Sequence, residues 1–388
     1  MIHWTENGED RSAPWRSESG AAAPRRVVLA DDTLAADTAY RLACEGTGLL
    51  WRGDFQNARH LLQSLMRRAD KKPKAAKAGR KAQTSAAAAA AVGPAHAFHL
   101  HRQSQAQRAR LLGMVLVPVE GDHTIALRRA PDLREAFAEA WGKPDGTACV
   151  VSLREVLGLV GAHEWRKKGV EIPALGTAQA PLRIHPHYGV FSPVRGEYVD
   201  LVAQAPLPAT DLAFDIGTGT GVLAAVLARR GVQKIVATDQ DPRALACARD
   251  NVQRLGLASK VEVLQADLFP PGQAPLVVCN PPWLPGRASS SIEHAVYDED
   301  SRMLRGFLTG LKAHLSPGGE GWLILSDLAE HLSLRSRAQL LEWIAGAGLQ
   351  VVDRHEVQPR HAKAMDPADP LHAARSAERT SLWRLAAS

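Results

Sequence analysis

The sequence predicts an α/β protein: a doubly wound, mostly parallel, seven-stranded sheet preceded by a smaller α+β N-terminal domain. Three observations carry this reading. From about residue 182 onward, short apolar strands alternate with amphipathic helices, the rhythm of a sheet buried on both faces. A glycine-rich stretch, DIGTGTG at 215–221, stands where the first of these strands hands over to a helix. Upstream, a different and less regular pattern is interrupted by a basic, alanine-rich segment at 69–95.

The elements follow in order. Residues 1–20 are polar with little periodicity and read as a disordered lead-in. In the region 21–181 the spacing predicts a strand at 26–30, helical spacing over 33–50 and an amphipathic helix at 57–66. The aromatic and turn residues of 51–57 read as a core corner. After the flexible linker 69–95 come a hairpin formed by 112–117 and 124–127, then helices at 133–141 and 152–167. The C-terminal domain, 182–388, is read with strands at 212–216, 234–238, 261–265, 276–279, 322–326, 349–357 and 381–385. Helices at 222–230, 243–255, 302–315 and 336–345 connect them.

Composition excludes several classes. At 388 residues, 45% apolar and 23% charged, the chain is neither wholly disordered nor a single small domain. No apolar run nears the ~18 residues of a membrane span, and the first ten residues lack the basic and apolar regions of a secretory signal. Cys44, Cys149, Cys247 and Cys279 are widely spaced, which fits a reducing cytoplasm better than a zinc site or a disulfide framework. His96, His99 and His101 lack flanking cysteines or carboxylates and read as a surface cluster, so no metal is expected. The net charge of +6 is concentrated: Arg67–Lys81 holds eight basic residues and one acid, so the remainder is near neutral. Such a segment either solvates a linker or contacts RNA phosphates.

Four motifs carry chemistry. Asp215 through Gly221 form a turn whose glycines permit left-handed backbone and close ligand approach at a helix N-terminus. Asp239 ends the next strand, where a carboxylate accepts both hydroxyls of a ribose; that placement suits dinucleotides and S-adenosylmethionine alike. Asp241, before Pro242, is the better helix cap. Asp267 and Leu268 end the third strand, placed for an adenine amino group and ring. Asn280-Pro281-Pro282-Trp283 follows the fourth strand. Its two prolines remove N–H donors, so the Asn280 side-chain oxygen and the Pro281 carbonyl can take both hydrogens of a planar –NH2. The nitrogen lone pair then leaves conjugation and points at an electrophile, which is catalysis by positioning. Trp283 offers a flat face for stacking. The glycine spacing is GxGxG, whereas the dinucleotide fingerprint puts its third glycine three residues after the second, so an NAD-dependent oxidoreductase is the distant alternative.

DIGTGTG, TDQDP, ADLF and NPPW, in this order, resemble the class I S-adenosylmethionine-dependent methyltransferases, and more narrowly the methyltransferase-small group. That group includes the HemK/PrmC-type protein-glutamine enzymes and rRNA guanine-N2 methyltransferases. Residues 189–202 resemble the segment that precedes the domain in HemK/PrmC-type enzymes. The resemblance implies S-adenosylmethionine as cofactor. Phe191 would line the methyl-donor pocket with Arg195 near it, Gly217, Thr218, Gly219, Thr220 and Gly221 would hold the methionine end with Asp215, and Asp239 the ribose. It likewise implies Asp267 and Leu268 at the adenine, and Asn280 to Trp283 at the acceptor nitrogen, with Asn280 also touching the cofactor. The implied substrate is macromolecular: a protein glutamine, or alternatively an RNA base amine (guanine N2 or adenine N6). HemK/PrmC-type enzymes carry Tyr where this chain has Trp283.

Overall fold

An Asn-Gly turn opens the structure. Asn7 and Gly8 both take left-handed backbone, with φ of 54° and 80°, the combination that closes a two-residue hairpin. They join β1 (Ile2–Glu6) to β2 (Glu9–Ala13) in antiparallel register. The expected disordered lead-in 1–20 is therefore corrected: Ile2 is buried, and Trp4, Ala13 and Trp15 pack against a cluster with Val27, Leu50, Leu116 and Val150. The computed structural model describes residues 1–70, 93–288, 291–359, 366–367 and 369–388. It divides into two units, Met1–Glu164 and Trp165–Ser388.

The first unit continues through β3 (Trp15–Arg16), β4 (Arg26–Ala30), α1 (Ala36–Cys44), β5 (Thr47–Trp51) and α2 (Phe55–Ala69). It resumes with α3 (Pro94–Leu112), β6 (Val115–Val119), α4 (Arg134–Trp141), β7 (Cys149–Ser152) and α5 (Leu153–Lys168), whose last residues belong to the second unit. Its five-stranded sheet runs β3-β7-β6-β5-β4, with β4, β5 and β6 parallel and β7 antiparallel to β6. Two sequence expectations change here. The helical spacing at 33–50 is a short helix stopped by Gly46 at φ +79°, followed by strand β5. The hairpin expected from 112–117 and 124–127 is absent: β6 pairs instead with the distant β7. The 51–57 corner is core, with Trp51 and Phe55 buried. Trp51 Nε1 donates to the Asp54 carbonyl at 2.9 Å, and the buried Asp54 carboxylate is held by Arg129 at 2.6 and 2.9 Å. Of the linker 69–95, Ala69 closes α2 and Pro94 opens α3; residues 71–92 lie outside the described residues.

The second unit contains β8 (Val170–Glu171), β9 (Arg183–Ile184), α6 (Glu197–Gln204), β10 (Leu212–Ile216), α7 (Val222–Arg229), β11 (Lys234–Asp239), α8 (Pro242–Arg254), β12 (Val261–Gln265) and β13 (Ala274–Cys279). It goes on through β14 (Leu284–Pro285), β15 (Tyr297–Asp298), α9 (Arg302–His314), β16 (Leu315–Ser326), α10 (Leu328–His331), α11 (Arg337–Gly346), β17 (Leu349–Val357), α12 (His372–Ala377) and β18 (Thr380–Ala387). Seven strands pair in the order β12-β11-β10-β13-β16-β18-β17, and only β18 runs antiparallel to its neighbours. Burial alternates residue by residue. Leu276, Val278, Trp322 and Ile324 enter a core with α6 and α7, while Val277, Cys279, Leu323 and Leu325 enter another with α9 and α11. The order in which strands are added reverses at β10, since β11 and β12 lie on one side of it and β13 on the other. A crevice therefore opens beyond the carboxyl ends of β10 and β13, the place where such sheets take ligands.

Candidate functional site

Strand register brings the motifs together at that crevice. Ile216 is opposite Thr238 of β11 on one side and Cys279 of β13 on the other, so Gly217 lies between Asp239 and Asn280. Gly217, Gly219 and Gly221 all adopt left-handed backbone. At Gly217 a Cβ would meet only the terminal methyl of Met303 in the first turn of α9, which can swing aside, so the left-handed backbone is what calls for glycine. At Gly219, by contrast, no atom of the described residues comes within 4 Å of where a Cβ would stand. That side of the turn is open to the close approach of a ligand.

Asp215 lies beneath the turn, 1% exposed, and its Oδ2 accepts from Thr218 Oγ1 at 2.7 Å and from the Ala224 amide at 3.1 Å. Burial pushes its carboxyl up to about 6. The residue shapes the turn from below. Thr218 N–H also reaches the Thr238 carbonyl at 2.8 Å, fastening the turn to β11. Asp239 receives Gly219 N–H on Oδ2 and Asp241 N–H on Oδ1, each at 3.0 Å. A carboxylate has about four lone-pair sites, so these amides do not exhaust its capacity to accept from a ribose hydroxyl. Burial raises its pKa against these amide bonds. Asp241 caps α8 by accepting from Arg243 N–H at 2.9 Å.

The third motif is more open. Asp267 is exposed and pairs with Arg302 Nη2 at 3.1 Å. Leu268 holds left-handed backbone at φ 74°, and its carbonyl accepts from Thr238 Oγ1 at 2.5 Å, which fixes the turn after β12. Phe191 is half-buried, and Val190 beside it packs on Ala244 and Cys247 of α8. Arg195 Nη1 stands 3.8 Å from the buried Glu378 carboxylate, which also accepts from Ser326 Oγ at 2.7 Å. Asn280, Pro281, Pro282 and Trp283 follow β13, and Trp283 Nε1 donates to Asn280 Oδ1 at 2.9 Å.

One residue escaped the sequence reading. Asn251 of α8 is 1% exposed; its Oδ1 accepts from the His185 amide at 2.7 Å, and its Nδ2 donates to the Thr220 carbonyl at 3.1 Å. It ties the segment leading to Phe191 onto the glycine turn. The signal for it was a polar residue on the apolar face of a helix that otherwise buries Ala244, Leu245, Cys247, Ala248 and Val252. His96 and His99 are exposed on α3, and among the described residues no three His, Cys, Asp or Glu side chains gather as a metal site.

Glycine cradle, ribose-type carboxylate and Asn-Pro-Pro-Trp thus converge on one crevice. Residues 181–346 match the methyltransferase small domain. The matched segment lies in the C-terminal half and encloses every motif from Phe191 to Trp283. Among curated proteins, the chain is 37% identical over 115 residues to a release factor glutamine methyltransferase from Moorella thermoacetica, covering 28% of this chain and 41% of that protein. It is 48% identical over 69 residues to a ribosomal protein L11 methyltransferase from Pelotomaculum thermopropionicum, covering 17% and 22%. A tRNA1(Val) (adenine(37)-N6)-methyltransferase from Shewanella loihica is 30% identical over 146 residues, covering 35% and 60%. The chain therefore spans less than two thirds of each of these relatives.

Proposed function

We propose that this protein is an S-adenosylmethionine-dependent N-methyltransferase whose acceptor is the side-chain amide of a protein glutamine. One observation carries the reading: strand register sets Asn280 one strand away from the glycine turn, with Asp239 on its other side. A methyl acceptor held by Asn280 then faces a methyl donor held by the turn. The residues present fit that cofactor. The open side of Gly219 admits its methionine end, Asp239 retains lone pairs for its ribose, and Leu268 with Asp267 borders the adenine. Phe191 lines the donor pocket. Bound there, the cofactor supplies an electrophilic methyl group on a sulfonium.

This chain's residues do the rest by positioning. Asn280 Oδ1 and the Pro281 carbonyl take the two hydrogens of the acceptor –NH2, and Pro281 and Pro282 offer no competing N–H. Held this way, the acceptor nitrogen would aim its lone pair at the sulfonium methyl that the bound cofactor would supply; transfer would leave the sulfur–carbon electron pair on sulfur and release one N–H proton to solvent. No nucleophilic side chain is needed. We assign this catalysis to residues 182–388 and substrate recognition to 21–181. The four cysteines, all free thiols, support a cytoplasmic location.

An RNA base amine is the second reading, supported by the eight basic residues of Arg67–Lys81. Radiolabelled S-adenosylmethionine incubated with an extract of cells lacking the protein separates the two. We expect label that protease removes and ribonuclease spares; label confined to RNA overturns the glutamine assignment. Asn280→Ala should bind S-adenosylmethionine within about twofold of the parent yet lose transfer by about 100-fold or more, and an unimpaired variant removes the proposed site.

A further inference from the structure

We infer that Trp283 is a positioning residue which sets the orientation of the Asn280 carboxamide, and that its indole N–H, rather than its ring face, is what the acceptor site requires. The inference rests on the reading of Asn280 as the acceptor-holding group. A carboxamide has two ends of nearly equal shape and opposite hydrogen-bonding sense: one oxygen that accepts and one nitrogen that only donates. An acceptor –NH2 presented to Asn280 needs the oxygen. Rotated by half a turn, the side chain would offer N–H to N–H, and the acceptor would be repelled.

Neither proline can choose between these orientations, since neither carries an N–H. Trp283 can. Its Nε1 donates to Asn280 Oδ1 at 2.9 Å, and an indole N–H is a donor only, so the rotated carboxamide would lose this bond and set two donors together. The bond occupies one of the two lone pairs on Oδ1 and leaves the other for the acceptor hydrogen. The ring itself is half-buried and packs against the two large core clusters on either face of the seven-stranded sheet. That packing fixes where the N–H points, and it limits the free face that stacking on a flat base would use. A tyrosine or phenylalanine at this position has no ring N–H with which to reproduce the bond.

The test replaces the N–H while keeping the ring. In the full-length protein, Trp283 is exchanged for β-(3-benzothienyl)alanine, in which sulfur stands in place of the N–H, and in a second variant Trp283→Phe. Transfer is measured as the rate of label entering the acceptor extract, beside S-adenosylmethionine affinity by calorimetry and thermal unfolding. The benzothienyl variant should lose about tenfold in kcat, as expected for one neutral hydrogen bond, with cofactor affinity and melting temperature unchanged. Against an Asn280→Ala background the same exchange should have no further effect. In ¹⁵N spectra of the parent, the Asn280 side-chain amide signal should shift on the exchange. Parental kcat in the benzothienyl variant, with Asn280→Ala inactive, overturns the role of Trp283 while leaving the acceptor site intact. An active Asn280→Ala instead overturns the acceptor reading itself. Loss of melting temperature in proportion to loss of rate reduces Trp283 to packing, which also overturns the inference.

Discussion

At Asp215 two demands conflict, and the geometry shows which wins. The turn needs an acceptor beneath it for Thr218 and Ala224, and both bonds fall on the same oxygen, Oδ2. A carboxylate at 1% exposure supplies that oxygen at the cost of a buried charge, which raises its pKa to about 6 from 3.8. Because the folded-state pKa is the higher one, the folded protein binds the proton more tightly. Stability from this group is therefore greatest below about pH 4, declines as pH rises towards about 6, and is level above that. Asparagine keeps a single accepting oxygen and carries no charge. Asp215→Asn should match or exceed parental stability at pH 7 and lose this group's share of the pH dependence between about 4 and 6 in chemical denaturation. Asp215→Ala removes both bonds and should cost about 1–3 kcal/mol at any pH. Equal losses for the two variants at pH 7 would show that the charge itself is needed. Asp239 differs from Asp215 in how its bonds are shared: Gly219 N–H falls on Oδ2 and Asp241 N–H on Oδ1, so neither oxygen carries both. Asp239→Ala should weaken S-adenosylmethionine binding at least tenfold in calorimetry, with transfer recovering at saturating cofactor.

Among the elements, α8 does most to organise the crevice, through one polar residue on its buried face. Asn251 bonds the His185 backbone on the approach to Phe191 and the Thr220 carbonyl in the turn, so two loops far apart in sequence are set relative to each other. Asn251→Ala leaves those buried backbone groups unsatisfied. It should cost about 1–3 kcal/mol of stability and raise the S-adenosylmethionine dissociation constant, although Asn251 touches no proposed ligand atom. Asn251→Asp keeps the acceptor and loses the donor, and should retain part of the affinity. Unchanged cofactor affinity in Asn251→Ala would confine the residue to folding. This is also the scale at which the sequence is most and least legible. Strand 212–216 stands where the pattern puts it, because a strand buried on both faces leaves an unbroken apolar signature between turn residues, whereas 261–265 and 349–357, also at their expected places, are partly exposed strands at the two edges of the sheet. The β1–β2 hairpin fully buries only Ile2, with Trp4 and Ala13 partly covered among exposed polar neighbours, so its hydrophobic periodicity is faint, and the Asn7-Gly8 turn is its clearest local mark. The partner of β6 is β7, some thirty residues on, and no local pattern encodes a pairing over that distance. The four site motifs were readable for a related reason: glycines, prolines and strand-ending acids act through the backbone. The Trp283–Asn280 bond joins two side chains, and only coordinates reveal it.

For the whole molecule, charge distribution separates the catalytic fold from whatever brings a substrate to it. The chain's +6 is exceeded by the +7 of Arg67–Lys81 alone, so the rest of the chain taken together carries a net charge of about −1. A neutral fold exerts little long-range pull on a polyanion, whereas eight basic residues in fifteen positions form a strong local one. If that segment binds RNA, replacing its eight Lys and Arg by Gln must change RNA binding in a particular way. Affinity for a single-stranded RNA should fall most at low salt, and the slope of log affinity against log salt should flatten by about 0.7 for each phosphate no longer neutralised. S-adenosylmethionine affinity should stay at the parental value, since none of the proposed cofactor positions lies in the segment. An unchanged salt slope would leave Arg67–Lys81 as a solvated connector. Flattened binding together with undiminished methyl transfer to protein would separate RNA tethering from catalysis and keep the glutamine reading. Flattened binding with loss of all transfer would shift the acceptor to RNA, since the substitutions would have disabled only the segment that delivers it.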